Sequence, residues 1–455
     1  MATTNNDPPE GIFSLLDTDL YKLTMQCAVL KYYPDTHVRY KFTNRTPRMK
    51  FTRQAFNWLH AQIRKLDNVE VTKEEIEWLR ETCKYLSPEY LDYLQTFRLR
   101  PSEQVKATFV PDSDDTSDSV TGQVSLAISG IWVETILYEI PLLALTSEAY
   151  FKFVDKDWNH DGQVAKAKEK AEKLFEAGCV FSEFGSRRRR DYRTHEMVIK
   201  GILQAQEEAK TNGKNWKGKL TGTSNVHLAM KHNITPSGTV AHEWFMGIAA
   251  ITQDYANANE KAMEYWIGTF GPGVLGIALT DTFGTPSFLK AFAKPAPSSD
   301  SSAPSSSSPT YAQVFAGVRQ DSGDPLEYVQ MIRKFYSSQN ITSPKTVVFS
   351  DSLNIDRCIK YKQATEAVGL TPTFGVGTFF TNDFWHLSQD EKSVPLNIVI
   401  KLSEANGNDA IKLSDDKGKN MGDEGLMRSV KEQVGYTEKS WRDGNEAHRW
   451  DENEG

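Results

Sequence analysis

The chemistry of this chain gathers around one histidine set among small residues. Gly238-Thr239-Val240-Ala241 leads into His242, which is followed by Glu243 and Trp244. An imidazole can carry a proton, ligate a metal or accept a phosphoryl group. Gly222-Thr223-Ser224-Asn225 lies upstream and Arg319-Gln320-Asp321-Ser322-Gly323-Asp324 downstream, adding backbone donors, an arginine and carboxylates. The neighbouring Glu243 is placed to orient the His242 ring. Arg319 can make a bidentate contact with a carboxylate or phosphate. Gly375, Gly377 and Thr378 suit a phosphate at a helix start, or simply a tight turn. Asp281, Asp321 and Asp351 suit ribose hydroxyls or Mg²⁺, with an ordinary N-cap as the alternative for each. The run Arg187 to Arg190 is either a solvated helix face or, directly after Glu183-Phe184-Gly185, partly aimed at an anion.

The elements that must position these residues change character along the chain. His37 to Phe42 and Gly122 to Ile128 alternate as half-buried strands, with a helical pattern around Phe56, Leu59 and Ile63 between them. Residues 1–135 thus read as an N-terminal α+β domain. From about residue 140 strand, polar motif and helix recur. Cys179 to Phe181, Gly276 to Leu279, Phe315 to Val318, Thr346 to Phe349 and Thr373 to Val376 each run into a polar motif. This order predicts an α/β fold, an irregular TIM-like α/β barrel over 136–395, with the chemistry at the carboxyl ends of the strands. The Pro/Ser-rich stretch 294–309 reads as a disordered surface insertion within it. Residues 396–455 are expected to pack on the N-terminal domain and end in a polar tail. Gly271-Pro272-Gly273-Val274-Leu275-Gly276 fits the dinucleotide pattern by letter. A helix precedes it and a strand follows, the reverse of what that motif requires, so it reads as a turn. No Walker A sequence is present, so ATP, if used, binds by another route.

Composition narrows the classes. The 455 residues carry a net charge of -7, against a nucleic-acid partner. Four cysteines are widely spaced with no Cys-x-x-Cys pair, which leaves out zinc and redox motifs. The polar stretch Met1 to Glu10 lacks the signature of a signal peptide and no apolar run is long enough to span a bilayer, so the expected location is cytoplasmic, with nuclear access left open.

Six segments, in order, resemble the nicotinate phosphoribosyltransferase family: Asp17-Thr18-Asp19-Leu20-Tyr21-Lys22, Glu183-Phe184-Gly185-Ser186-Arg187-Arg188, Gly222 to Asn225, Gly238 to Trp244, Val318 to Pro325, and Phe374 to Thr378. The resemblance runs from about Leu15 to about Gly422. It implies ATP-coupled transfer of a phosphoribosyl group from phosphoribosyl pyrophosphate to nicotinate, giving nicotinate mononucleotide and pyrophosphate. That is the first, ligase-type step of NAD salvage from nicotinate, the Preiss-Handler route. The resemblance makes His242 the phosphorylated histidine, with Glu243 and Arg319 in the catalytic region. Tyr21 and Phe184 would sandwich the pyridine, with Ser224 and Arg319 on nicotinate. Arg187, Asp281, Asp321, Ser322, Asp351, Gly375, Gly377 and Thr378 would serve phosphoribosyl pyrophosphate, and Asp281 and Asp321 the Mg²⁺. In some relatives the tyrosine reaches across a dimer, so a monomer and a homodimer both stay open. Two competing readings are a nicotinamide-using relative and a non-catalytic sugar-phosphate-binding protein. In the former branch the position of Ser224 resembles an Asp; Ser224 can donate to an anion, which favours nicotinate. The full set of His242, Arg319, Asp321 and Tyr21 argues against lost chemistry.

Overall fold

The computed structural model describes residues 10–297 and 308–441. In β1 (His37–Asn44) Val38, Tyr40 and Phe42 are buried and their neighbours exposed, as the alternation predicts. β2 (Phe51–Thr52), β3 (Val105–Pro111) and β4 (Thr121–Ile131) form one sheet with it, all three of the others pairing antiparallel with β4.

A second sheet carries the strand-and-motif repeats. It is built from β5 (Val180–Glu183), β6 (Lys219–Thr223), β7 (Ile277–Leu279), β8 (Gly317–Gln320), β9 (Thr346–Phe349) and β10 (Thr371–Val376). All its pairings are parallel, in the order β6-β5-β10-β9-β8-β7. Helices connect successive strands. In the helix Gln163–Glu176, Ala167, Ala171, Leu174 and Phe175 are buried, and Gly178, at φ 75°, turns the chain into β5. The dinucleotide-like glycines do form a turn: the helix Ala258–Phe270 ends there, Gly271 and Gly273 take positive φ, and β7 follows.

The expected barrel closure is not among the pairings of the described residues. The edge strands β6 and β7 do not meet. The irregular segment before His242 lies between them: Pro236 makes a single bridge to Thr223, and the Thr239 hydroxyl donates to the Ile277 carbonyl at 3.2 Å. Proline cannot donate to a ladder and β7 has three residues, so this stretch cannot become a full strand. The result is a mixed α/β fold with an open parallel sheet and a distinct N-terminal domain.

A small hairpin follows, β11 (Phe384–Trp385) with β12 (Lys392–Ser393). The chain then returns to the first sheet. β13 (Ile398–Ala405) pairs antiparallel with β1 from Asn44↔Ile398 to Val38↔Ala405, and β14 (Asn408–Asp409) pairs with β13. The expected packing of the C-terminal segment on the N-terminal domain is therefore strand addition. Most of the 294–309 insertion lies outside the described residues. Its two ends meet, with Pro295 bridged to Thr310 and the Ala296 N–H donating to the Pro309 carbonyl at 2.8 Å. The tail from 442 also lies outside them. Among the described residues no helix is long and apolar enough to cross a membrane.

The two sheets are joined by the helix His242–Thr252. Trp132 and Trp244 are fully buried with ring centroids 6.0 Å apart. Gly247 on that helix lies so close to Trp132 that a Cβ there would fall 2.3 Å from the indole. Glycine inside a helix is usually replaced by alanine with a gain in stability. Here Gly247→Ala is expected to destabilise by about 1–3 kcal/mol, because the methyl group overpacks a closed contact. Chemical denaturation measures this; an unchanged or raised midpoint would show that the helix is not seated on Trp132.

Candidate active site

A cavity of about 630 Å³ opens at the carboxyl ends of the parallel strands. Phe184 follows β5, Ser224 follows β6, Asp321 follows β8, Asp351 follows β9 and Gly377 follows β10, and all of them line it. Arg319 lies within β8, one residue before its end, where the sequence pattern placed it at the end itself. Strand alternation buries Val318 and Gln320 and turns Arg319 toward the cavity. The N-terminal domain contributes Asp19, Tyr21, Arg45 and Glu139.

His242 is the first residue of its helix and is 3% exposed. Its Nδ1 lies 3.0 Å from Thr282 Oγ1 and its Nε2 3.0 Å from Asp321 Oδ2. Burial would raise the Asp321 carboxyl, but the His242 hydrogen bond and the charges of Arg319 and Lys412 hold it well below the usual carboxylate range. An ionised carboxylate can only accept. His242 therefore carries its proton on Nε2, and Nδ1 accepts from the Thr282 hydroxyl. Burial, reinforced by Lys412, pushes His242 down to about 4 despite the two aspartates. The ring is neutral and keeps a lone pair at neutral pH.

Glu243 does not orient that ring. The next residue on a helix is rotated by about 100°, which turns Glu243 to the N-terminal domain. Its carboxylate accepts from Tyr40 Oη at 2.6 Å and Trp132 Nε1 at 2.8 Å and pairs with Lys22. Lys22 also pairs with Glu139 at 2.6 Å. Thr282 and Asp321 do the work expected of Glu243.

Tyr21 and Phe184 both line the cavity, half-buried. Gly375 and Gly377 serve Phe184 first. A Cβ on Gly375 would fall 2.3 Å from the Phe184 ring, and one on Gly377 would fall 2.8 Å from its carbonyl oxygen. Their small size seats the aromatic ring, and the phosphate cradle expected of them has this packing duty in front of it. Thr378 lines the cavity at the start of the four-residue helix Thr378–Thr381. The Ser224 hydroxyl donates to Asp19 Oδ1 at 2.7 Å, and Ser186 donates to the same oxygen at 2.6 Å. Ser224 thus faces an acidic side chain of the protein itself.

The four consecutive arginines divide between the cavity and the core. Arg187 and Arg188 line the cavity, Arg187 lying 3.9 Å from Glu139. Arg189 is buried in a bidentate pair with Asp17, both contacts 2.7 Å. Arg190 is buried over Phe151 at 3.6 Å. Arg319 donates from Nη1 to the Val240 carbonyl at 3.0 Å, and its Nε is buried without a partner.

Asp281 and Ser322 sit behind the cavity wall. Both are buried, and Ser322 Oγ bridges Asp281 Oδ2 at 2.5 Å and the Asp415 N–H at 3.0 Å. This removes Ser322 from direct contact with anything in the cavity. Among the described residues Asp281 Oδ1 has no hydrogen-bond partner, and it lies 3.9 Å from His242 Nε2. His242, Asp281 and Asp321 offer three ligand atoms within 4.8 Å of one another. Asp351 lines the cavity and pairs with Lys419 at 2.5 Å.

Lys401, Lys412 and Lys419 also line the cavity, and none of them was expected there. They come from β13 and the chain just after it, where no motif marks them. Burial pushes the Lys401 ammonium down to about 8 and lowers Lys412 as well, Glu139 and Asp281 respectively opposing it. Cations held in this way favour an anionic occupant.

Comparison with known proteins matches this arrangement to one family. The profile of the "Nicotinate phosphoribosyltransferase (NAPRTase) family" matches residues 179–438, and that of its N-terminal domain matches residues 16–147. The chain is 48% identical to a probable nicotinate phosphoribosyltransferase of Schizosaccharomyces pombe over 426 residues, covering 93% of this chain and 98% of that protein. It is also 48% identical to the nicotinate phosphoribosyltransferase of Saccharomyces cerevisiae over 450 residues, covering 96% and 99%. The crystal structure of a putative nicotinate phosphoribosyltransferase from Saccharomyces cerevisiae superposes with a TM-score of 0.86 at 46% identity, covering 94% of this chain and all of that one. That of the Porphyromonas gingivalis enzyme gives 0.78 at 31% identity, over 93% of this chain.

The placement of Glu243 is open to a direct check. Glu243→Gln should lower stability by about 3 kcal/mol or more, because Lys22 loses half of its buried pairing. The His242 titration followed by NMR should stay where it is in the unaltered protein. A shift of about one pH unit would mean that Glu243 governs the imidazole after all.

Proposed function

The chain belongs to the nicotinate phosphoribosyltransferase family, and on that premise we propose that it transfers a phosphoribosyl group from phosphoribosyl pyrophosphate to nicotinate, driven by ATP through a phosphohistidine at His242. The observation that carries this reading is the neutral, doubly held His242 in one cavity with an aromatic pair and a set of buried cations.

Nicotinate is a flat anion. Tyr21 and Phe184 offer faces for its ring, and Arg319 and Arg187 offer guanidinium groups for its carboxylate. Phosphoribosyl pyrophosphate is far more anionic, and Arg45, Lys401, Lys412 and Lys419 supply the compensating charge. In transfer the pyridine nitrogen bonds to ribose C1 as the C1–O bond to pyrophosphate breaks. Cations fixed around the leaving group stabilise the charge it gains, and Asp321 and Asp351 face the cationic ribose. The orphaned Oδ1 of Asp281 and the nearby Asp321 carboxylate fit a hard divalent cation, since such ions take oxygen ligands. Held there, Mg²⁺ would supply further neutralisation of pyrophosphate charge.

His242 serves the ATP step. Its neutral imidazole attacks the γ-phosphorus through Nδ1, which gives up the Thr282 hydrogen bond as a P–N bond forms and the P–O bond to ADP breaks, while Nε2–H stays on Asp321. Asp321 stabilises the positive charge that the ring gains. Water then cleaves the phosphohistidine and releases phosphate. The product would enter NAD synthesis from nicotinate.

Incubation with nicotinate, phosphoribosyl pyrophosphate and ATP is expected to yield nicotinate mononucleotide, with nicotinamide a poor replacement. No product from either pyridine would contradict the reading. ATP labelled in its γ-phosphate should leave an acid-labile phosphoryl group on the protein. His242→Ala should lose both this label and the stimulation by ATP; equal labelling in the variant would remove His242 from the role.

Arg319→Lys should not behave as a conservative change, because an ammonium cannot reproduce a planar fork that also holds the Val240 carbonyl. The expected loss is about 2–4 kcal/mol of transition-state stabilisation, or about 30- to 1,000-fold in kcat/KM for nicotinate. Phosphorylation of His242 should persist. Full kcat/KM with loss of the phosphohistidine would place Arg319 on the nucleotide instead.

A further inference from the structure

Asp19 is a carboxylic acid at the aromatic end of the cavity. It is 2% exposed and lines the cavity beside Tyr21, Phe184 and Ser224. Ser186 and Ser224 both donate to its Oδ1, at 2.6 and 2.7 Å. Its Oδ2 has no hydrogen-bond partner among the described residues. Two serines therefore fix one oxygen and leave the other to whatever the cavity holds. Such a group so close to the pyridine slot conflicts with an anionic substrate unless it is neutral.

We propose that Asp19 determines which pyridine the site accepts: as the neutral acid it donates a hydrogen bond from Oδ2 to the carboxylate of nicotinate, and as the carboxylate it rejects nicotinate and accepts from an amide N–H of nicotinamide. This rests on reading the cavity as a nicotinate phosphoribosyltransferase site.

The charged surroundings agree with this assignment. Burial is the largest influence and raises the Asp19 carboxyl. The Arg187 charge and the Ser186 and Ser224 hydroxyls oppose it, and the Glu183 charge adds to the rise, the net direction being upward. Glu183 is itself held by His195 at 2.8 Å. On the helix Leu20–Tyr32, Tyr21 stands two residues after Asp19, and Lys22 is engaged by Glu139 and Glu243. Two residues back, Asp17 is matched by Arg189. Arg187 is thus the cation that acts most strongly on Asp19. The sign follows: nicotinate binding is strongest below the pKa of Asp19 and weakens as pH rises through it.

The test measures KM for nicotinate between about pH 5 and 9, with phosphoribosyl pyrophosphate saturating, in the unaltered enzyme and in Asp19→Asn, which can donate but cannot ionise. In the unaltered enzyme KM should rise about tenfold per pH unit on the alkaline limb, and in Asp19→Asn that limb should be absent. Calorimetry in two buffers of different ionisation enthalpy should show about one proton taken up per nicotinate bound above the titration point, and none in Asp19→Asn. Ser186→Ala gives a second, milder variant: with one donor to the ionised form removed, its alkaline limb should move to higher pH. Coincident profiles for the unaltered enzyme and Asp19→Asn, no proton uptake, or an unmoved limb in Ser186→Ala would each overturn the assignment alone. Absence of nicotinate turnover by the unaltered enzyme at every pH would overturn the reaction as well.

Discussion

Lys22 is buried with no solvent exposure between Glu139 and Glu243, and the geometry of the cavity depends on that cluster. An ammonium out of water is costly unless opposite charge surrounds it. Burial lowers its affinity for a proton, but the two carboxylates more than restore it. Lys22, with Lys401 and Arg187 adding, carries Glu139 down to about 2 against its own burial. The remaining Glu243 oxygen is satisfied by Tyr40 and Trp132. Each member of the cluster has a functional neighbour. Tyr21 adjoins Lys22, His242 adjoins Glu243, and Arg187 lies 3.9 Å from Glu139. One desolvated ionic knot thus fixes the relative positions of an aromatic face, the imidazole and a guanidinium drawn from three separate stretches of chain.

Charge distribution explains how an acidic protein receives anionic substrates. The chain as a whole carries -7, yet the cavity collects Arg45, Arg187, Arg319, Lys401, Lys412 and Lys419. Lys401 and Lys412 have lowered proton affinity because burial works against their charge. They are energetically poor positions for a cation alone and better ones once an anion is bound, so part of the selectivity is stored in the folded protein. Burial, reinforced by Lys412, keeps His242 neutral, which preserves the lone pair on which our phosphohistidine proposal depends.

Much of this was legible in the sequence where a motif and a strand coincide. Phe184, Ser224, Asp321, Asp351 and Gly377 follow parallel strands and reach one cavity, as the repeated strand-and-motif order implied. Three features were not legible, each for a physical reason. Barrel closure depends on whether edges β6 and β7 meet, and Pro236 with a three-residue β7 leaves an irregular seam. Glu243 stands beside His242 in sequence, but helix rotation sends it to Lys22. Lys401 belongs to a strand added to the first sheet by long-range pairing, and Lys412 and Lys419 to the chain that follows it; local pattern carries no sign of which cavity such a segment will border. The glycines at 375 and 377 show a further limit: small residues near a site suggest phosphate, while here the close approach they permit is to Phe184.

In the proposed reaction His242 phosphorylation is an intermediate of the transfer and not a side reaction of a reactive imidazole. Phosphorus NMR of the enzyme with ATP, chased with nicotinate and phosphoribosyl pyrophosphate together, tests it most directly. A phosphoramidate resonance should form with ATP and decay on the chase in step with the appearance of nicotinate mononucleotide. A resonance that never forms, or that persists unchanged while product accumulates, would contradict it.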